Sequence, residues 1–446
     1  MDETWLKNRV IKLNDHTIQN GDYVLYWMQS TQRVDYNQAL EYAIIKANKL
    51  NKPLVVLFVL TKYPEANLRH YTFMIEGLRE TIEDLNTRGI QFILKLGDPP
   101  TKCLELAERS SILILDRGYQ RAQKKWYNQI VSNAKLQVVQ IETDVVVPLE
   151  AVSHKEEYMA VHYRRKITPL LKDYIINVPK YELSNTTTVN AETLDLRDKK
   201  LLYEKLEVDQ SVKQGKYRGG RGEAIKLFED FLDNKLADYP EDRNDPNNDK
   251  QSNMSPYLHF GQISPIELAL KALEEGGRGS EEFIEQLIVR RELAFNMVHY
   301  NPDYDNINCL PRWALETLHK HASDPRPYIY TLEEFESAQT HDQYWNKAQI
   351  ELVKTGKMHG YMRMYWGKKI LEWSEDPETA YKTALFLNNK YEVDGRSCNG
   401  YTGVAWCFGK HDQAWKEREI FGKVRYMNDK GLERKYNMKK YLTKTF

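Results

Sequence analysis

The sequence predicts an α/β N-terminal domain on a five-stranded, parallel, doubly wound sheet, followed by an all-α C-terminal domain. Three observations carry this. At 446 residues the chain is too long for one ordinary core. Residues 1–150 alternate short apolar runs with helical patterns. Beyond Gly219 the chain reads as helical, with no clear period-two strand.

The candidate strands are Tyr23–Met28, Leu54–Leu60, Gln91–Leu96, Ile112–Leu115 and Gln137–Val147. Between the first two, Tyr36, Leu40, Ala43, Ile44 and Ala47 recur at helical spacing. Between the second and third, Tyr71, Met74, Ile75, Leu78, Ile82 and Leu85 do the same. Strand–helix alternation implies right-handed crossovers and a parallel sheet, which binds ligands beyond the carboxyl ends of its strands. No G-x-G-x-x-G or P-loop lysine occurs. From Ser184 to Lys216 the chain turns polar, as a long surface connection does. The expected boundaries are 1–165 for the sheet domain, 166–215 for the connection and 216–446 for the helical domain.

Formal net charge is zero, so a nucleic-acid partner must meet a local patch. Residues 410–446 hold eleven Lys and Arg against five Asp and Glu, a net of +6. Four cysteines, none in a C-x-x-C pair, argue against a structural zinc, an iron–sulfur cluster or a disulfide framework. They fit a reducing cytosol, and a cytoplasmic location is expected. The N-terminus MDETWLKNRV is not read as a signal peptide, and the Leu54–Leu60 run is too short to span a membrane. No metal and no membrane partner are expected.

In TGKMHGYMRMYWGKKILEW, Thr355 to Trp373, residues Arg363, Trp366, Ile370 and Trp373 fall three or four apart. At ~3.6 residues per turn they share one helix face, with the two indoles ~10 Å apart along the axis. Such a stripe packs a core or passes an electron. An arginine on it needs a carboxylate, for which Asp394 is a candidate. In SNMSPYLHFGQISPIE, Ser255-Pro256 reads as an N-cap with proline at the first helical position, and Ser264 with Glu267 as a capping box. Ser252, Asn253 and Ser255 thus offer donors at a positive helix end, either as ordinary capping or as an anion site. Gly219-Gly220-Arg221-Gly222 reads as a glycine turn before a helix.

Taken together, SNMSPYLHFGQIS, THDQYWNKAQ, TGKMHGYMRMYWGKKILEW, LNNKYEVDGR, NGYTGVAW and Trp415–Met427 resemble the class II cyclobutane pyrimidine dimer photolyases. With the Tyr239 to Pro246 stretch, the resemblance covers most of residues 216–446, and the N-terminal sheet domain fits the family's antenna domain. It implies FAD held inside the helical domain, active as FADH⁻. Excited by light, that flavin gives one electron to a dimer in UV-damaged DNA, the ring splits and the electron returns. It implies flavin contacts from Tyr239, the Ser252-Asn253-Met254-Ser255 turn, Asn388 and Arg396, and an Arg363–Asp394 salt bridge flanking the ring system. A neutral amide at Asn388 can accept from or donate to a ring nitrogen. It implies an electron chain of Trp366, Trp345 and Trp373, with Trp345 placed by the resemblance alone. Trp406 and Met364 would meet the flipped dimer, and Arg243, Gln286, Lys410 and Arg425 would meet DNA. A second, antenna chromophore is expected in the sheet domain, its identity left open. A monomer is expected.

Three positions depart from the pattern: Gln286 for a glutamate at the dimer's base edges, Gln413 for a DNA-facing arginine, and Ser397-Cys398 for Asp-Pro. The expected function is light-driven dimer repair. The alternative is a cryptochrome-type flavin photoreceptor without repair activity, which shares the flavin pocket and tryptophan chain but needs no DNA face. A helical nucleic-acid binder without flavin leaves Arg363 and Asn388 without a purpose.

Overall fold

The computed structural model describes residues 4–446. Six strands form one sheet: β1 (Val10–Lys12), β2 (Tyr23–Trp27), β3 (Leu54–Leu60), β4 (Gln91–Leu96), β5 (Ser110–Asp116) and β6 (Val138–Ile141). Their order is β1-β6-β5-β2-β3-β4. All neighbours are parallel except β1, which runs antiparallel to β6. The sheet therefore has six strands rather than the expected five. Three residues with two exposed side chains are too short to show a period of two.

The sheet is wrapped by α1 (Gln38–Leu50), α2 (Leu68–Thr87), α3 (Pro99–Ala107) and α4 (Arg121–Asn133). Asn37 caps α1 by accepting from Leu40 N–H, and Asn51 ends it in the left-handed conformation. Residues of β2 and β3 are buried on both faces, as crossover helices require: Val24, Tyr26, Val56 and Phe58 on one, Leu25, Trp27, Val55 and Leu57 on the other.

The strand expected over Gln137–Val147 stops at Ile141. Beyond it the backbone leaves the ladder and crosses to the helical domain, where Val146 and Val147 N–H donate to the buried Glu292 carboxylate, at 2.5 and 3.3 Å. Burial pushes the pKa of Glu292 up to about 8. The polar connection runs along the outer edge of β4. Leu194 N–H donates to Leu94 O, and Val189 exchanges two bonds with the Gln91 amide. A strand edge is thereby covered.

No strand occurs among the described residues after Ile141. The helices that build the site are α5 (Arg291–Tyr300), α6 (Gln343–Thr355), α7 (Gly360–Trp373), α8 (Pro377–Tyr391) and α9 (Cys398–Cys407). Gly219 is a packing device: a Cβ there would fall 1.9 Å from Phe73 O of α2. The neighbouring N–H groups donate to carboxylates of α2, Gly219 to Glu76 and Gly222 to Glu80, both at 2.9 Å. This glycine turn joins the domains.

Arg69 clasps them. From α2 its guanidinium donates to Leu352 O and Val353 O of α6, at 3.3 and 2.6 Å, and to Tyr391 O of α8, at 2.5 Å. Two helix C-termini in the other domain are thus satisfied by one cation. Arg69→Met takes the donor from Val353 O and Tyr391 O, while Leu352 O keeps Gly356 N–H, and is expected to cost about 3 kcal/mol. A fall in the thermal midpoint checks this.

Candidate active site

A cavity of about 480 Å³ opens between the two domains. Its floor comes from helical-domain residues that include Tyr239, Ser252, Met254, Ser255, Arg363 and Asp394. Ser30, Tyr119, Gln120, Gln123 and Asp144 of the sheet domain close it. The helical domain therefore does not enclose the cavity alone, which corrects the expectation of a pocket inside that domain. A second hollow adjoins it, adding Arg243, Asn244, Asn253 and Tyr361.

The helix at Ser255–His259 begins one residue earlier than a Ser255 cap requires. Met254 holds the cap position and makes no side-chain cap bond, so Ser255 is the first helical residue. Ser264 does cap its helix, but Glu267 forms a two-bond ion pair with Arg221, at 2.9 and 3.0 Å, instead of completing a capping box. Asn253 sits in the left-handed region, φ 59°, so the Ser252–Ser255 turn curls tightly. Its side-chain oxygen accepts from Lys357 Nζ at 2.6 Å. Lys357 lines both hollows, and burial holds its pKa below the ordinary lysine value. The expected anion site thus acquires a cation. The sequence reading missed it because the lysine lies in the loop before α7, about 100 positions from the turn it meets.

Arg363 projects from α7 into the cavity, but its ion-pair partner is Glu392, with Nη2 3.1 Å from Oε1. This corrects the expected Arg363–Asp394 bridge. Asp394 is a second carboxylate in the same cluster. Burial opposes its charge, but Arg363, His259 and Lys357 outweigh burial and hold its pKa below the usual carboxylate value. Burial pushes the Glu392 carboxyl up. The cause of the swap is local. After α8 ends at Tyr391, Glu392 is extended and turned inward, a direction that no spacing rule foretells.

Trp366, Trp345 and Trp373 come together as a buried array. Trp345 and Trp366 stack with centroids 6.4 Å apart and planes 5° apart, and Trp345 meets Trp373 edge-on at 6.3 Å. Trp345 Nε1 donates to Trp366 O, and Trp366 Nε1 to Gln349 Oε1. The array starts one turn beyond Arg363. At its far end Trp373 touches Tyr330 and the exposed His341.

Trp406 and Met364 are half-buried on the cavity wall, as is Gln286. Gln286 lies in a π-helical turn, Glu285–Arg290, and its amide donates to Glu282. Such turns frequently mark functional sites. Arg243 pairs with the same Glu282, at 2.9 Å. Arg425 lies over both Trp406 and Trp415, 5.9 and 5.0 Å from their ring centres. Three other residues lie elsewhere than expected. Lys410 is buried, ion-paired with Glu156 and donating to Cys309 O, so it holds the fold and does not face phosphates. Arg396 faces a separate cavity of about 200 Å³ beside Trp27, Phe58, Leu60 and Trp126, not the first. Asn388 is buried on α8 against Gly400 and is not among the lining residues.

Among the described residues no helix is long and apolar enough to cross a membrane, and no His, Cys, Asp and Glu cluster could hold a metal.

A family model described as DNA photolyase matches residues 24–183. The deoxyribodipyrimidine photo-lyase of Methanothermobacter thermautotrophicus is 50% identical over 426 residues, spanning 95% of this chain and 94% of its own. The chain belongs to the DNA photolyase family. Family membership makes it a flavoenzyme of the lyase class in DNA repair, with FAD as cofactor. The photolyase-family fold extends to a cryptochrome of Synechocystis sp., with TM-score 0.74 and 15% identity over 94% of this chain and 87% of that one. It also extends to an archaeal photolyase of Sulfolobus tokodaii crystallised with two FAD molecules, with TM-score 0.71 and 15% identity over 94% and 88%.

The cavity's donor set fits a flavin dinucleotide. A serine-rich turn with Lys357 suits a pyrophosphate, and the buried Arg363 Nε has no hydrogen-bond partner of its own.

Proposed function

We propose that this chain is a class II photolyase that repairs cyclobutane pyrimidine dimers in DNA under light. When bound in reduced form and excited, FAD would supply one electron to the dimer and receive it back after the ring opens. The chain's own residues do the rest. Ser252, Ser255 and Lys357 hold the pyrophosphate. Arg363, balanced by Glu392 and Asp394, places positive charge beside an anionic ring system. The sheet-domain wall, Ser30 to Asp144, keeps water from the cavity. Met364 and Trp406 receive a dimer flipped out of the duplex, whose damaged pairing makes extrusion easier. Trp373, Trp345 and Trp366 relay electrons inward when the cofactor has become oxidised.

One observation carries this reading: an arginine-lined cavity with a half-buried indole on its wall, backed by a stacked tryptophan array. A photoreceptor has use for the array but none for Trp406 flanked by Arg425. The second cavity lies at the carboxyl ends of β2 and β3, where a doubly wound sheet takes its ligand. It shares Ser30, Gln120, Gln123 and His259 with the first. We assign it to the antenna chromophore, with Arg396 as its buried cation.

The test is dimer loss from an oligonucleotide carrying one cyclobutane thymine dimer, with reduced, FAD-loaded protein in blue light against a dark control. Repair in light alone is expected. Flavin without repair favours the photoreceptor, and a protein that binds no flavin ends both readings.

A further inference from the structure

Lys368 has no part in the site so far described. It is fully buried on α7, makes no ion pair among the described residues, and its Nζ serves two neighbours. It donates to Cys407 O, the last carbonyl of α9, at 2.5 Å. It also lies 5.3 Å from the ring centre of Trp406, the preceding residue. A buried ammonium without a carboxylate is costly, so its surroundings must favour the charge strongly. A helix C-terminus and an indole face are two such surroundings.

The approach is built into the backbone. A Cβ on Gly367 would lie 2.6 Å from Cys407 Sγ, so only glycine lets α7 and α9 cross this closely. The other terminal carbonyls of α9 are met locally: Ala405 O by Phe408 and Lys410 N–H, and Trp406 O by Gly409 N–H. Cys407 O alone is given to a side chain from another helix. Trp406 also meets Arg425, 5.9 Å from its ring centre. The indole thus has two cations near its ring, one buried and one half-exposed.

We propose that Lys368 is a positioning residue for substrate recognition, fixing the last turn of α9 and the Trp406 indole in the pose that stacks on a flipped dimer. The inference rests on the reading of Trp406 given above. Burial brings the pKa of Lys368 down to about 8, with Cys407 and Asp412 opposing burial and Arg425 adding to it. Arg363, on the same helix, also faces Cys407, 4.0 Å from its carbonyl to Sγ. The depressed pKa sets the sign. The cation is present below about pH 8 and lost above it, so its hold on Trp406 weakens as pH rises.

The experiment measures affinity for dimer-containing and undamaged duplexes with FAD-loaded protein, in wild type, Trp406→Ala, Lys368→Met and Lys368→Arg. Lys368→Met is expected to lose about five- to tenfold for damaged DNA, the order of a desolvated cation–π contact, with undamaged binding almost unchanged. Lys368→Arg should restore it. Between about pH 7 and about pH 9.5 the wild type should lose discrimination that Lys368→Arg, charged throughout, retains. Lys357 and Glu392 also carry shifted pKa values, but they are common to both proteins and cancel in that comparison. If Trp406→Ala leaves discrimination intact, the reading of Trp406 fails and this inference with it. If Trp406→Ala loses discrimination but Lys368→Met does not, the inference alone is overturned. Should Lys368→Met fail to fold, parallel pH profiles of wild type and Lys368→Arg overturn it equally.

Discussion

Trp366→Phe is expected to abolish light-driven reduction of oxidised flavin while repair by chemically pre-reduced protein continues. Trp366 is the first indole beyond the Arg363 turn and the one stacked at 5° on Trp345. Phenylalanine keeps an aromatic ring in the core but removes the readily oxidised indole, and with it the link between the cavity wall and the outer pair. It also leaves Gln349 Oε1 buried without its donor, a cost of about 1–3 kcal/mol. Thermal midpoint and flavin content are therefore measured alongside. Equal loss of photoreduction and repair in a stable, flavin-loaded variant would show that Trp366 is core and nothing more.

Arg363→Met is expected to be the most damaging single change in the site. Where Glu392 is ionised, breaking a buried pair strands its partner, at about 3–5 kcal/mol. Here the stranded partner is Glu392, 2% exposed and left to share Lys357 with Asp394, which also keeps His259 and Ser255. FAD retention after gel filtration should fall with stability. The pH dependence follows from Glu392, whose folded pKa lies above its unfolded value. Between those two values the folded state holds the extra proton, so stability falls as pH rises. Without Arg363 the folded value moves higher and the window widens. The wild-type carboxyl ionises only near pH 8, so the deficit in denaturant midpoint should be smaller near about pH 7 than near about pH 9.5. A deficit that does not change with pH would show that Glu392 is not the group left stranded.

Much of the scaffold was legible because it depends on local order. The strands Leu54–Leu60 and Gln91–Leu96 stand where their apolar runs placed them, bounded by turn residues, and α7 carries Trp366 and Trp373 on one side as a 3.6-residue period requires. β1 was not legible, since three residues with two exposed side chains make no pattern. Ser255 was misplaced by one residue because Pro256 permits either of the first two helical positions.

The site divides along a different line. Residue types and their intervals along the chain determined that an arginine, an indole pair and a serine-rich turn would be present, and the resemblance added Trp345. Only the tertiary structure decided which partners they take: Glu392 for Arg363, Lys357 for Asn253, Glu156 for Lys410, Cys407 O for Lys368. It also decided that the sheet domain closes the cavity. The reason is physical. Helix and strand periods follow from hydrogen bonds a few residues apart, so sequence spacing encodes them. The pairing of buried charges depends on separations of a few ångströms in a poorly screening interior, where energy varies as the inverse of distance. Those separations are set by how helices from distant parts of the chain pack, down to a missing Cβ at Gly367.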